Sequence, residues 1–212
     1  GFSNERPLLV AASTHAPEER IVIEAFKEIS RLAAETHKPR LLIAPRHPER
    51  FAEVAALLSA SGLAWTRRTH EPYIIDETCE AVLLDSIGEL RAIYPLAEIV
   101  FVGGSIAQTG GHNVLEPAAA GACIVTGAHT QNFAAIVKAF REQQALIQLP
   151  DTAEIDAPHL LASVFTEILS DDKKREALGS NARAAFERNQ GAAKRTVELL
   201  APLFATPTKT AR

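Results

Sequence analysis

Between Phe101 and Pro117 the chain reads Phe-Val-Gly-Gly-Ser-Ile-Ala-Gln-Thr-Gly-Gly-His-Asn-Val-Leu-Glu-Pro, and those residue types suit the binding of an anion. An apolar run, Ile99 to Val102, ends in a Gly-Gly-Ser loop; a second pair, Gly110 and Gly111, precedes His112, and a helix is expected to begin near Asn113. Glycine lets a backbone approach a ligand without interference from Cβ, and the free N–H groups of a helix start attract negative charge. A phosphate fits that arrangement, with Gly104, Ser105, Gly110, Gly111, His112 and Asn113 around it. Glu116, one turn into the helix, could accept hydrogen bonds from the two hydroxyls of a ribose. A phosphate beside a ribose is a nucleotide. The plainer readings are a tight turn for the glycines and a capping acid for Glu116. The spacing is neither G-x-G-x-x-G nor the G-x-x-x-x-G-K of a P-loop, which counts against hydride transfer and Mg-NTP hydrolysis.

Other chemistry-bearing residues also follow apolar runs. Ser13, Thr14 and His15 come after Leu8–Ala12, and Pro45, Arg46 and His47 come after Arg40–Ala44. Ser86-Ile87-Gly88 is a tight turn after Ala81–Asp85, where Gly88 could admit a ligand to its backbone, and Gly127 to Thr130 follows Cys123–Thr126. Each has an ordinary explanation as well: helix capping for Ser13 and Thr14, a surface ion pair for Arg46, a hydrogen-bonded loop histidine for His47.

The elements that must position these loops repeat one plan. Short continuous apolar runs are the mark of parallel strands covered on both faces. Pro17 suits a first helical position with Glu18 and Glu19 in the first turn, and Val22, Phe26, Ile29 and Ala33 form the inward face of that helix. Further helices are expected at Glu49–Ala60, up to Tyr94, and around Phe133 to Phe140; further strands at Ala64–Arg68 and Ala145–Leu149, with His70–Glu80 an irregular loop. From Pro158 the pattern is helical, with a break at Asn189-Gln190-Gly191 and a disordered tail from Ala205. Alternating strands and helices call for an α/β, Rossmann-like parallel sheet with helices on both faces. The loops after its strands then meet at one edge, which favours a single site over several unrelated caps.

Size and charge set bounds on this reading. The 212 residues suffice for a full core, and a net charge of −4 without a Lys/Arg block gives no general attraction to nucleic acid. The two cysteines, Cys79 and Cys123, show no metal spacing and are expected to be buried and reduced. No apolar run reaches the ~18 residues of a membrane span. With no methionine and a strand opening almost at Gly1, the sequence reads as a piece of a longer protein.

Taken together, Ala12-Ser-Thr-His15, Ala44-Pro-Arg-His47, Leu83-Leu-Asp-Ser-Ile-Gly-Glu-Leu90 and Gly110-Gly-His-Asn-x-Leu-Glu-Pro117 resemble the 3-deoxy-D-manno-octulosonic acid (Kdo) transferases of lipopolysaccharide biosynthesis, from about Leu8 to Phe204. The resemblance implies the C-terminal, donor-binding half of a two-domain GT-B glycosyltransferase, with residues 1–204 as the CMP-Kdo domain. It implies CMP-Kdo as donor, a lipid A precursor as acceptor, inversion at the anomeric centre, no metal, and a place at the cytoplasmic face of the bacterial inner membrane. By the match, Arg46 and His47 face the cytidine or phosphate, Gly110, Gly111, His112 and Asn113 hold the phosphate, and Glu116 binds the ribose. Ser13, Thr14 and His15 line the cleft near the donor sugar, and Pro45, Ile87, Gly88, Gly104 and Ser105 belong to the same site. The general base and lipid-binding surface are expected in an N-terminal domain upstream of Gly1, so no catalytic residue is assigned here and the chain alone is expected to bind without turnover. Two other readings remain open: a UDP-sugar transferase or epimerase of the same fold, and a nucleotide-binding module without chemistry.

Overall fold

A computed structural model describes residues 6–33, 38–70 and 79–204, with the side chains of residues 190, 192–199 and 201–204 excepted. The tail from Ala205 and most of the loop expected at His70–Glu80 lie outside the described residues.

Seven strands form one sheet in the order β3-β4-β2-β1-β5-β6-β7. They are β1 Leu8–Thr14, β2 Arg40–Pro45, β3 Trp65–Arg67, β4 Ala81–Leu83, β5 Ile99–Val102, β6 Cys123–Thr126 and β7 Ile147–Gln148. Every pairing is parallel. The continuous apolar runs conceal a period of two: Leu9 and Ala11 of β1 join one core, while Leu8, Val10 and Ala12 join the other. On the first face lie α1 Glu18–Leu32, α2 Phe51–Ser61 and α6 Ala157–Ser170, packed through Phe26, Leu58 and Phe165. On the second lie α4 Leu115–Ala119 and α5 Ala134–Glu142, with Tyr94 just after α3 Leu90–Ile93; Tyr94, Ala118 and Phe140 carry that contact. Chain order reverses at β1, whose neighbours are β2 and β5, so the crevice beyond the C-terminal ends of β1 and β5 is the place where such sheets take ligands.

Two expectations fail. Helix α7 runs unbroken from Asp172 to Phe204, through the break expected at Asn189–Gly191. An internal glycine costs a helix only about 1 kcal/mol, too little to stop one held by packing. At Gly179 the missing side chain is itself the packing, since a Cβ there would lie 2.3 Å from the carbonyl oxygen of Gly121. The helix expected from Asn113 begins at Leu115 and has five residues, so it carries little of the macrodipole proposed to attract an anion.

One contact fixes the crevice. The Glu18 side chain, fully buried in the first turn of α1, faces the loop that follows β5. Its Oε2 accepts hydrogen bonds from the N–H groups of His15 (2.9 Å) and Gly104 (2.7 Å). Its Oε1 accepts from Ser105 (2.9 Å), Ile106 (2.8 Å) and Ala107 (3.2 Å). Burial pushes the pKa of this carboxyl up and the backbone N–H groups pull it back. A protonated carboxyl would have no acceptor among these five donors, so the anion is the form that fits. Gly103 closes the joint: a Cβ there would stand 2.7 Å from both Glu18 Oε2 and the Ser13 carbonyl oxygen.

Glu18→Gln replaces an acceptor oxygen by a donor facing donors, and should destabilise the domain by roughly 2–3 kcal/mol, the scale of lost hydrogen bonds to a charged group. Glu24→Gln, on the exposed side of the same helix, should stay within about 0.5 kcal/mol of wild type. Urea unfolding of both variants checks this; equal losses would mean that the clamp contributes nothing.

Candidate functional site

The residues at the mouth of the crevice come from the loops after β1, β2, β4 and β5. At the end of β1, Ser13 adopts a left-handed φ of 55° and the register with β2 slips between Ala12 and Thr14. This is a bulge, and it turns the following residues out of the strand direction. The Arg46 N–H donates to the Thr14 carbonyl at 3.0 Å, fastening the loop after β2 beside it.

Three imidazoles meet here. Nε2 of His15 is 2.8 Å from Nε2 of His112, and the His47 ring meets His15 edge-on, with centroids 5.2 Å apart. His112 rests on Gly104, where a Cβ would lie 2.9 Å from its Cδ2. Burial, together with the nearby His15, Arg46 and His47, lowers the His112 pKa to about 4; burial and then His47 lower that of His15. The Arg46 side chain is exposed and has no carboxylate partner among the described residues, so the surface ion pair is ruled out for it there. His47 stands 3.8 Å from the exposed Glu49.

A groove of ≈180 Å³ opens beside these rings, lined among others by Ser13, Pro45, Arg46, Phe51, Ile87 and Gly88. Ile87 is 80% exposed at its rim. Gly88 has a φ of 87° and open space where a Cβ would be, so its backbone is approachable.

Other expected residues prove to support the site from beneath. Ser105 is fully buried; its hydroxyl donates to Val102 O (2.6 Å) and accepts from Gly127 N (2.8 Å). The N–H groups of Gly104 and Ser105, expected to face a ligand, are held by Glu18. Thr14 is buried too, its Oγ1 without a hydrogen-bond partner among the described residues. Gly110 and Gly111, at φ of 94° and 76°, fold the loop onto itself: Gly111 N donates to Gly104 O at 2.7 Å, and a Cβ on Gly110 would meet the Asn132 amide. Asn113, one residue before the Val114 N-cap of α4, turns the chain into the helix, its Oδ1 accepting from Leu115 N at 3.0 Å. The N–H groups of His112 and Asn113, both partly exposed, are left without acceptors among the described residues and are the open donors of this loop, whereas Val114 is fully buried. Glu116 is exposed and makes no hydrogen bond to the described protein, so it does not act as a capping-box acid.

Sequence reasoning missed two buried acids. Glu18 and Glu19 looked like first-turn acids complementing the helix; Glu18 is the clamp, and Glu19 is a buried partner of Arg50 at 2.5 Å. One signal was present: Glu18 lies three residues after His15, the spacing at which a carboxylate reaches back to a capping N–H.

No known protein-family model matches the chain. Over 201 residues it is 36% identical to the 3-deoxy-D-manno-octulosonic acid transferase of Haemophilus influenzae, covering 95% of this chain and 45% of that protein. The chain thus spans about half the length of the curated relatives it matches. Among solved structures it is similar to the C-terminal CMP-Kdo binding domain of WaaA from Acinetobacter baumannii, with a TM-score of 0.75 and 33% identity over 85% of this chain and 89% of that one. Sucrose-phosphate synthase from Thermosynechococcus elongatus shares the fold at a TM-score of 0.62 and 15% identity, covering 96% of this chain and 47% of that one.

The depressed histidines make stability depend on pH with a definite sign. An unfolded histidine takes its proton near pH 6.5 and folded His112 near 4, so between these values the unfolded state binds more protons. The contribution is fully present above about pH 6.5 and is lost as the pH falls towards 4. Urea midpoints at pH 7, 6 and 5 should therefore fall more for wild type than for His112→Gln; parallel curves would exclude the histidine as the cause.

Proposed function

Because the chain belongs to the Kdo transferase family, we propose that it is the donor-binding part of an inverting glycosyltransferase that takes Kdo from CMP-Kdo and passes it to a lipid A precursor. The observation that carries this reading is the meeting of Arg46, His15, His47 and His112 with open backbone donors at the β1/β5 crevice, in a chain one-third identical to a CMP-Kdo binding domain. CMP-Kdo has one phosphodiester, a single negative charge that becomes two as CMP departs. The Arg46 guanidinium and the N–H groups of His112 and Asn113 stabilise that developing charge, a task that preorganised donors perform without a divalent ion. The groove lined by Ser13, Pro45, Ile87 and Gly88 takes an uncharged part of the donor, and Glu116 takes the ribose hydroxyls. The general base, the acceptor surface and work at the cytoplasmic face of the inner membrane belong to the whole protein. The 212 residues alone bind the donor without transferring it.

Calorimetry with the 212-residue chain tests the donor assignment. CMP should bind in preference to UMP, UDP and AMP, weakly, with a Kd of ~0.1–1 mM, or roughly −4 to −5.5 kcal/mol. EDTA should leave the affinity unchanged. Equal binding of CMP and UDP, or no binding of either at millimolar concentration, would sink the assignment.

Glu116→Gln separates ligand contact from support. A carboxylate accepting from two hydroxyls forms charge-assisted bonds, and the amide loses the charge and one acceptor. The variant should melt within a degree or two of wild type yet bind CMP about tenfold more weakly, on the scale of 1.4 kcal/mol per decade. 2′-deoxy-CMP, already short of one hydroxyl, should lose less; a destabilised variant with the wild-type ratio of the two ligands would make Glu116 structural.

A further inference from the structure

The contact between His15 and His112 has a definite proton count. Their ring planes are 9° apart, their centroids 5.0 Å apart and their Nε2 atoms 2.8 Å apart. Rings stacked face to face at ~3.5 Å could not bring two nitrogens that close, so these meet edge to edge, nitrogen to nitrogen. Such a contact holds one hydrogen: one Nε2 donates and the other accepts. Two imidazolium rings would point N–H at N–H, so the pair accommodates one extra proton and not two. That proton sits on an Nδ1, and neither Nδ1 has a partner among the described residues. Because the bridging hydrogen can pass from one Nε2 to the other, a proton taken up at one Nδ1 can leave from the other.

We propose that His15 and His112 together act as a one-proton acid toward the departing phosphate of the donor, a role that rests on the CMP-Kdo reading above. In the transfer, the acceptor oxygen bonds to the anomeric carbon and its proton goes to the general base. The bond from that carbon to the phosphate oxygen breaks, and its electron pair stays on the oxygen. The Nδ1 proton of the pair moves to a phosphate oxygen, leaving both histidines neutral and CMP singly protonated on phosphate. Solvent supplies the next proton when another donor binds.

The surroundings set when the pair is charged. His47, Arg46 and Arg50, from the segment between β2 and α2, oppose a proton on His15, and His47 and Arg46 oppose one on His112. Glu19 of α1 favours it but is tied to Arg50, and Glu18 is enclosed by backbone N–H groups. The empty pair is therefore neutral near pH 7. A phosphate in the crevice reverses the balance and draws the proton in, so the acid is charged by the arrival of its own substrate.

Two-bond proton–nitrogen spectra of the histidine rings, recorded on the 212-residue chain from pH 4 to 8, test this. The empty protein should show one protonated and one bare Nε2 in the pair. Saturating CMP should raise the pair's single titration by about two and a half pH units, the shift that a tenfold change in affinity requires, and cytidine, which lacks the phosphate, should not. Between pH 7.5 and 5.5 the CMP affinity of wild type should rise about tenfold relative to His15→Gln; the titration of CMP itself is common to both proteins and cancels. Two independent ring titrations, or CMP bound with the pair unmoved, would overturn the proposal and leave the donor reading standing. Failure of both CMP and cytidine to bind would remove the donor reading, and this proposal with it.

Discussion

A single carboxylate holds the two sides of the crevice together. Glu18 enters from the first turn after β1 and collects N–H groups from the loop after β5, so the two strands that flank the switch point are joined above the sheet as well as within it. Everything nearer the surface depends on that junction. The buried turn at Gly103–Ala107 seats Gly104, Gly104 seats His112, and His112 meets His15, which follows the same strand as Glu18. The result is a closed circuit of contacts in which a group that never reaches the cleft determines the spacing of those that do.

The glycine-rich run has a different logic from the one its composition suggests. Its missing side chains make room for protein: the Glu18 carboxylate at Gly103, the His112 ring at Gly104, the Asn132 amide at Gly110, the His129–Thr130 backbone at Gly111. The glycines that face open space, Gly62 and Gly88, lie outside the run. A strand-to-helix glycine loop can therefore serve a ligand indirectly, by letting the chain fold tightly enough for polar groups elsewhere in it to point outward.

The fold was legible because buried parallel strands carry an unbroken apolar signature; Ile99–Val102 and Cys123–Thr126 fall where their runs do. The helices were legible where an amphipathic stripe was strong, as at Val22, Phe26 and Ile29. Gly191 misled because a local breaker was given more weight than the roughly 1 kcal/mol that an internal glycine costs a helix. In the site, motif position found the loops but could not divide their residues into those that face the cleft and those that lie beneath it. Arg46, His47, Ile87 and Glu116 are exposed, whereas Thr14 and Ser105 are enclosed. The role of Glu18 depends on partners 86 to 89 residues away, a distance over which neither propensity nor periodicity carries information.

The clamp also divides the crevice by timescale. Amide hydrogens on Gly104 through Ala107 are bound to a buried side chain and not to a neighbouring strand, so solvent reaches them only when α1 and the β5 loop separate. Ile87 and Gly88, across the groove, have no such tether among the described residues. The floor of the site is therefore a slow element and its rim a fast one, and a ligand that enters can reshape the rim while the floor keeps the geometry it had when empty.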